Sequence, residues 1–84
     1  MKIKEFYLEK YPTDVLGTEL KGDINFFELY NLLVNGGDVY RFLGVGDSLV
    51  RERVFMELAN LLEKEYTYVY NLWLNAQFSK TLAY

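Results

Sequence analysis

The sequence predicts an all-α protein: a compact bundle of four or five short helices that ends in a helical hairpin. Three observations lead to this prediction. Apolar residues recur at helical spacing along most of the chain, polar residues suited to helix caps precede several of these stretches, and glycines separate them. The 84 residues are expected to form one domain, in which residues 76–84 either extend the last helix or form a frayed tail.

The composition favours a packed protein without catalytic chemistry. Hydrophobic residues make up 51% of the chain, which is too many for a disordered polypeptide. Cysteine and histidine are both absent, which excludes disulfides, zinc-thiolate sites and the triads built on these residues. The acidic residues are scattered and form no calcium-binding loop. We expect no enzyme, no cofactor and no metal; an enzyme with a carboxylate site is a remote alternative.

Charge and hydropathy set the expectations for partners and location. Nine basic and twelve acidic residues give a net charge of −3, which argues mildly against nonspecific binding to nucleic-acid phosphates. No apolar run approaches the ~18–20 residues that span a bilayer. Residues 1–7 lack the continuous apolar core of a secretory signal. We therefore expect a cytoplasmic protein that binds a protein or itself, with DNA possible and with no membrane or small-molecule substrate.

The first elements are short. Residues 2–10 carry apolar side chains at helical spacing, and Pro12 ends this helix because the residue before a proline avoids helical geometry. Thr13 is expected to cap a brief helical turn, which Gly17 closes.

Two further helices have clear boundaries. Asn25 lies three residues before Glu28, a variant of the capping box, and Asn35 with the glycines after it ends the helix. The apolar stripe of this helix comprises Phe26, Leu29, Tyr30 and Leu33. A short helix follows, capped by Asp38 and ended by Gly44.

Residues 44–48 raise the question of a phosphate site. Glycines before a helix can hold a phosphate on free backbone amides. A dinucleotide site would need a third glycine at position 49, which is Leu, and Asp47 would repel an anion. We interpret the segment as a tight interhelical loop that ends in a helix cap.

The strongest predicted helix begins at Asp47 or Ser48. Its inner face consists of Val50, Val54, Leu58 and Leu61, with Phe55 and Leu62 beside them, and its outer face carries Arg51, Glu52, Glu57 and Asn60. Ion pairs between residues 47 and 51 and between residues 53 and 57 would each add ~0.2–0.5 kcal/mol.

The last helix is predicted from about Tyr66 to Asn75. Its apolar stripe comprises Tyr66, Val69, Tyr70 and Trp73. A strand is the alternative for residues 66–72, because Tyr, Thr and Val favour strands. The helix is preferred because the residues that follow do not alternate between apolar and polar.

Residues 57–74 resemble a helix-turn-helix. Ala59 supplies the small residue where the two helices would cross, and residues 69–74 are similar to the end of the second helix in many such proteins. The inward positions would be Leu58, Leu62, Val69 and Leu72. The turn departs from the motif: Glu63 stands where glycine is usual, and a left-handed residue other than glycine costs ~1–2 kcal/mol.

The second helix of this pair provides the candidate binding surface. The predicted partner-binding residues are Glu65, Tyr66, Thr67, Tyr68, Tyr70 and Asn71. Tyr68 lies off the apolar stripe and is expected to be exposed, as tyrosines at protein interfaces often are. The leading hypothesis is protein binding; the alternative is a DNA-binding regulator in which Arg51, Arg53 and Lys64 contact phosphates.

Residues 5–17 and 38–55 together resemble segments of small proteins carried by phages and prophages of Gram-positive bacteria. The similarity extends over most of the chain, through Trp73 and Leu74. The resemblance implies an accessory role in the cytoplasm of an infected bacterium. Such accessory proteins either control phage genes or bind host proteins.

Overall fold

Six helical elements follow one another along the described part of the chain. The computed structural model describes the backbone of residues 1–82 and the side chains of residues 1–78. The elements are α1 (Ile3–Lys10), a 3-10 helix (Val15–Glu19), α2 (Phe26–Val34), α3 (Val39–Leu43), α4 (Ser48–Leu61) and α5 (Tyr66–Leu82). This arrangement confirms the all-α prediction. The helix prediction for residues 66–72 is also confirmed, and the strand alternative is wrong.

The core draws side chains from all five α-helices. Fully buried apolar side chains include Ile3, Tyr7, Leu29, Leu33, Val39, Leu43, Val50, Val54, Phe55 and Val69. Leu58 and Ala59 are also buried, as the predicted crossing of α4 and α5 requires. A methyl group is small enough for two helices to approach closely, and the burial of Ala59 is compatible with its predicted place at the crossing.

Aspartate and asparagine side chains fix most of the helix starts. The predicted capping box of α2 is present: Asn25 Oδ1 accepts from the Glu28 amide at 2.9 Å, and Glu28 Oε2 accepts from the Asn25 amide at 3.3 Å. Asp38 and Asp47 cap α3 and α4 as predicted.

The cap of the 3-10 helix differs from the prediction. Thr13 is exposed, and Asp14 performs the capping by accepting a hydrogen bond from the Leu16 amide at 3.0 Å. Gly17 does not close the turn but lies inside the 3-10 helix. A Cβ atom at Gly17 would lie 2.7 Å from a ring carbon of Tyr7, so the glycine is needed for close packing.

The buried arc of α4 is wider than predicted, and it is displaced. It runs from Val50 and Val54 to Phe55 and Ala59, and Arg51 therefore lies inside it rather than on the outer face. Leu61, predicted to point inward, is 58% exposed because it lies at the edge of this arc on the last turn.

The turn between α4 and α5 uses a standard helix ending despite its unusual residue. The Lys64 amide donates to the Ala59 carbonyl at 2.9 Å, and the Glu63 amide donates to the Asn60 carbonyl at 3.1 Å. This pair of bonds defines a Schellman motif, which requires a left-handed residue at position 63. Glu63 adopts it with φ of 57°. The expected departure from glycine is therefore accommodated at a strain cost of ~1–2 kcal/mol.

Helix α5 continues past the predicted end at Asn75 to Leu82. Of the two alternatives for residues 76–84, extension of the helix is correct as far as residue 82, and residues 83–84 lie outside the described residues. A Cβ atom at Gly36 would lie 3.6 Å from that of Ala76, so the α2–α3 loop packs against α5 at this height.

Candidate functional site

Four of the six predicted partner-binding residues lie on the exposed side of α5 or directly before it. Glu65 precedes the helix, and Thr67, Tyr68 and Asn71 are exposed. Exposed residues continue along the same side at helical spacing to Phe78. The name α5 outer face is used below for Thr67, Tyr68, Asn71, Leu74, Asn75 and Phe78.

The α5 outer face carries no charge. Residues 66–79 contain no Asp, Glu, Lys or Arg, although exposed helix faces normally carry charged side chains. Tyr68 and Phe78 are 40% and 64% exposed. The cores of protein interfaces are depleted of charged residues and enriched in aromatic ones. The α5 outer face therefore has the composition of an interface rather than of a solvated surface.

Tyr66 and Tyr70 belong to a different part of the surface. Their rings stack with centroids 5.8 Å apart, both are partly buried, and Tyr66 packs against the core. Tyr70 also meets the edge of Trp73 at 5.8 Å. These two predicted binding residues therefore form an aromatic wall beside the α5 outer face, and their main contacts lie within the protein.

Behind this wall lies Arg51, one of the three predicted phosphate contacts. The side chain is one of the buried residues, with 5% exposure. Its guanidinium carbon lies 4.4 Å from the ring centroid of Trp73, 5.5 Å from that of Tyr70 and 5.3 Å from that of Phe55. Aromatic faces attract a cation, and more strongly when water is excluded. Arg51 thus joins α4 to α5 and is not available to a ligand in solution.

The electrostatics around Arg51 are unusual. Among the described residues, its Nε and Nη1 atoms have no hydrogen-bond partner, and Nη2 lies 3.6 Å from Glu52 Oε1. An unsatisfied buried donor costs ~1–3 kcal/mol, so the aromatic contacts must provide the compensation. Burial raises the pKa of the Tyr66 hydroxyl, and the positive charge of Arg51 opposes this shift.

Arg53, the second predicted phosphate contact, is held by residues at the other side of the fold. Its Nη1 donates to Asp14 Oδ2 at 2.6 Å and to the Tyr7 hydroxyl at 2.9 Å, while that hydroxyl donates to the same carboxylate oxygen at 2.7 Å. The guanidinium also covers the ring of Tyr11 at 4.2 Å. The predicted pairing of Arg53 with Glu57 is therefore replaced by an ion pair with Asp14.

This cluster favours one set of protonation states. The hydrogen bond from Tyr7 and the backbone amide of Leu16 lower the pKa of Asp14, and Arg53 adds to the effect. Burial raises the pKa of Tyr7, so its hydroxyl stays neutral and continues to donate. The cluster connects α1, the 3-10 helix and α4, and its role is therefore to stabilise the packing of these elements.

Lys64 is exposed, whereas Arg51 is buried and the side chain of Arg53 is 25% exposed. Its ammonium group lies 5.5 Å from the ring centroid of Tyr68. Glu63 and Glu65 flank it in the sequence and are also exposed. A single cation between two carboxylates provides little attraction for a polyanion.

Sequence reasoning missed a groove between α2 and α4. The groove is lined by Phe26, Phe27 and Tyr30 from α2 and by Leu58, Leu61 and Leu62 from α4. Phe27 is 73% exposed, an unusual position for a large apolar side chain. The amino-acid sequence contains one indication of this groove: Phe26 and Phe27 are adjacent in a helix, so the two rings cannot both face the core.

Neither a metal centre nor a membrane-spanning helix is found among the described residues. Among them, no group of three or more His, Cys, Asp or Glu lies close enough together to hold a metal ion. No helix in the described part of the chain has both the length and the apolar character to cross a membrane. Comparison with known protein families, curated proteins and solved structures finds no match for this chain. The function is therefore inferred from the surfaces described above.

Proposed function

We propose that the chain is a non-enzymatic accessory protein that binds another protein through the α5 outer face. The observation that supports this most is the exposed, uncharged surface that runs from Thr67 to Phe78 on a chain with net charge −3. Leaving Leu74 and Phe78 in water has an energetic cost that contact with an apolar partner would remove.

Several features favour a protein as the partner. Tyrosine and phenylalanine present large, rigid contact areas, and the polar residues Thr67, Asn71 and Asn75 can exchange hydrogen bonds with a second chain. None of the six residues of the face carries a charge, and the ammonium group of Lys64 lies at one end of it, 5.5 Å from the ring centroid of Tyr68. A second copy of the chain would meet no like charge here and is one possible partner.

The setting proposed for this activity is the cytoplasm of a bacterium that carries a phage or prophage. The support is the resemblance of residues 5–17 and 38–55 to small proteins of such phages. In this setting the partner is a host protein or another phage protein.

A DNA-binding regulator is the second candidate. The short Schellman turn between α4 and α5, together with exposed Thr67 and Asn71, favours it, since these side chains can contact base edges. The burial of Arg51 and the pairing of Arg53 with Asp14 weigh against it, because phosphate contacts supply most of the affinity for DNA.

A paired-variant experiment tests the proposal. Phe78→Ser changes the α5 outer face. Val15→Ser is the control: Val15 lies on the 3-10 helix, and its apolar side chain is 77% exposed. We expect both variants to fold, because exposed substitutions alter stability by about 0.5 kcal/mol or less. Only Phe78→Ser should reduce binding to the partner recovered from host lysate, or reduce self-association in sedimentation velocity.

Equal binding by Phe78→Ser, Val15→Ser and the unaltered protein would refute a role for this face. The DNA alternative is tested in parallel with labelled DNA at low salt. A gel shift that weakens steeply as salt is added and is lost in Lys64→Ala would favour the regulator instead.

A further inference from the structure

Three neighbouring grooves join into one continuous surface on the side of the bundle formed by α1, α2 and α4. The apolar groove between α2 and α4 shares Phe26, Phe27 and Leu61 with a second groove that reaches Met1 and Glu57. A third groove shares Met1 and Glu57 and extends to Phe6, Glu9 and Lys10 on α1. The surface is therefore apolar at one end and carries carboxylates at the other, and we call it the α2–α4 groove.

Glu57 gives this surface its electrostatic character. It lines two of the three grooves and lies one helical turn before Leu61. Arg53, one turn before Glu57, is held by Asp14 at 2.6 Å. Among the described side chains, no cation lies within 4.0 Å of the Glu57 carboxylate. The Glu57 carboxylate therefore lies beside exposed apolar side chains and has no ion-pair partner among the described residues.

The other charged residues of the groove lie toward α1. Glu9 adds a second carboxylate at the same end. The ammonium group of Lys10 lies 5.6 Å from the ring centroid of Phe6 and 5.9 Å from that of Tyr11, which directs it toward α1. Lys10 and the amino group of Met1 equal the two carboxylates in number, but among the described residues neither lies within 4.0 Å of the Glu57 carboxylate, so the negative charge beside the apolar end is local to Glu57.

We propose that the α2–α4 groove binds a basic amphipathic helix of a partner protein. Apolar side chains one turn apart on that helix would contact Phe27, Tyr30 and Leu61, and a Lys or Arg farther along would pair with Glu57. Helix-in-groove recognition uses this combination of spaced apolar anchors and a flanking charge. The occupant differs from the partner of the α5 outer face, whose surface offers no charge to a basic segment.

The proposal stands independently of the function assigned to α5. The residues that line the α2–α4 groove belong to α1, α2, α4 and the chain before α1, and none belongs to α5. A protein with both surfaces could hold two different chains at once, as an adaptor does.

Two matched peptides test the proposal on the isotopically labelled, full-length protein. Each peptide is an amphipathic helix of about 18 residues with a leucine face, long enough to be helical in part on its own. One peptide carries lysines on its polar face, and the other carries glutamates at the same positions. We expect the lysine peptide to shift the amide resonances of Phe27, Glu57 and Leu61 and to bind more tightly than the glutamate peptide by about tenfold or more.

Two pairs of variants separate this site from general attraction to an acidic protein. Glu57→Gln should weaken binding of the lysine peptide by about tenfold, whereas Glu65→Gln makes the same change in net charge outside the groove and should leave the affinity unchanged. Leu61→Ala should also weaken binding, while Met56→Ala should not, because Met56 is similarly exposed (54%) but lines none of the three grooves.

Three results would overturn the proposal. One is the absence of resonance shifts with the lysine peptide at about 1 mM, since weaker binding would have no specificity to explain. Another is equal weakening by Glu57→Gln and Glu65→Gln, which would indicate nonspecific charge attraction. The third is a set of shifts confined to residues 67–78, which would place the contact on the α5 outer face and leave the α2–α4 groove unoccupied.

Discussion

Replacement of Arg51 is the sharpest test of how the C-terminal hairpin is stabilised. Arg51→Met keeps a long, flexible side chain between α4 and α5 but removes the charge and both unpaired donors. Removing two unsatisfied donors regains ~1–3 kcal/mol each, and losing the contacts with three rings costs ~0.5–2 kcal/mol each. These amounts nearly cancel, so the free energy of unfolding should change by less than ~1.5 kcal/mol.

Arg51→Ala provides the contrast. It removes the same charge but leaves a cavity beneath Tyr70 and Trp73, and such cavities cost ~2–5 kcal/mol. Urea denaturation followed by circular dichroism should therefore place Arg51→Ala at least ~2 kcal/mol below Arg51→Met. Glu52→Gln serves as the control: its carboxylate lies 3.6 Å from the guanidinium and its side chain is 50% exposed, so the change should be within ~1 kcal/mol.

The reasoning would be refuted if Arg51→Met destabilised the protein by ~3 kcal/mol or more. A loss of that size is typical of breaking a buried charge from a true hydrogen-bonding partner. It would mean that the guanidinium is held by a polar group rather than by aromatic faces.

Three further predictions use the same measurement. Leu58→Ala should cost ~2–5 kcal/mol because Leu58 is buried, whereas Leu61→Ala should cost about 0.5 kcal/mol or less; similar losses would contradict the assignment of the buried arc of α4. Glu63→Gly should stabilise by up to ~1 kcal/mol by relieving the left-handed strain, and a loss would show that the side chain makes contacts of its own. Because folding lowers the pKa of Asp14, its contribution is present above its ordinary pKa near 3.8 and disappears as the pH falls through the folded value; Asp14→Asn should therefore flatten the loss of stability below about pH 4, and an unchanged slope would count against the cluster.

Local signals were sufficient to predict most of the helix boundaries. The Asn25 and Glu28 capping box, the Asp38 and Asp47 caps and the left-handed Gly44 each act within a few residues, so the sequence contains all the groups involved. The burial of Ala59 was expected for a related reason, because a small apolar residue is needed where two packed helices approach closely.

The errors concern side chains whose surroundings are supplied by distant elements. Arg51 was predicted to lie on the outer face of α4 because charged residues are usually exposed. Its aromatic partners lie mostly on α5 and are not evident from the sequence of α4. Arg53 was assigned to its neighbour Glu57, but Asp14, 39 residues away, is the partner in the folded chain. Leu61 has the periodicity of a core residue, yet it is 58% exposed on the last turn of α4.

The two candidate surfaces also differ in how far the sequence could predict them. The exposure of Tyr68, Thr67 and Asn71 follows from the helical pattern and was predicted correctly. The α2–α4 groove could not be derived, because it depends on how two helices far apart in the chain lie side by side. The adjacent phenylalanines at positions 26 and 27 indicated only that one ring must be exposed.

Trp73 gives the molecule a built-in optical reporter. It is the single tryptophan of the chain, and its indole ring lies 6.3 Å from the Tyr40 ring on α3 and 5.8 Å from the Phe55 ring on α4. The wavelength and intensity of its fluorescence emission thus depend on whether α3, α4 and α5 are packed against one another. Any ligand, variant or temperature that loosens α5 from the bundle would register as a change in a single spectrum, with no label attached.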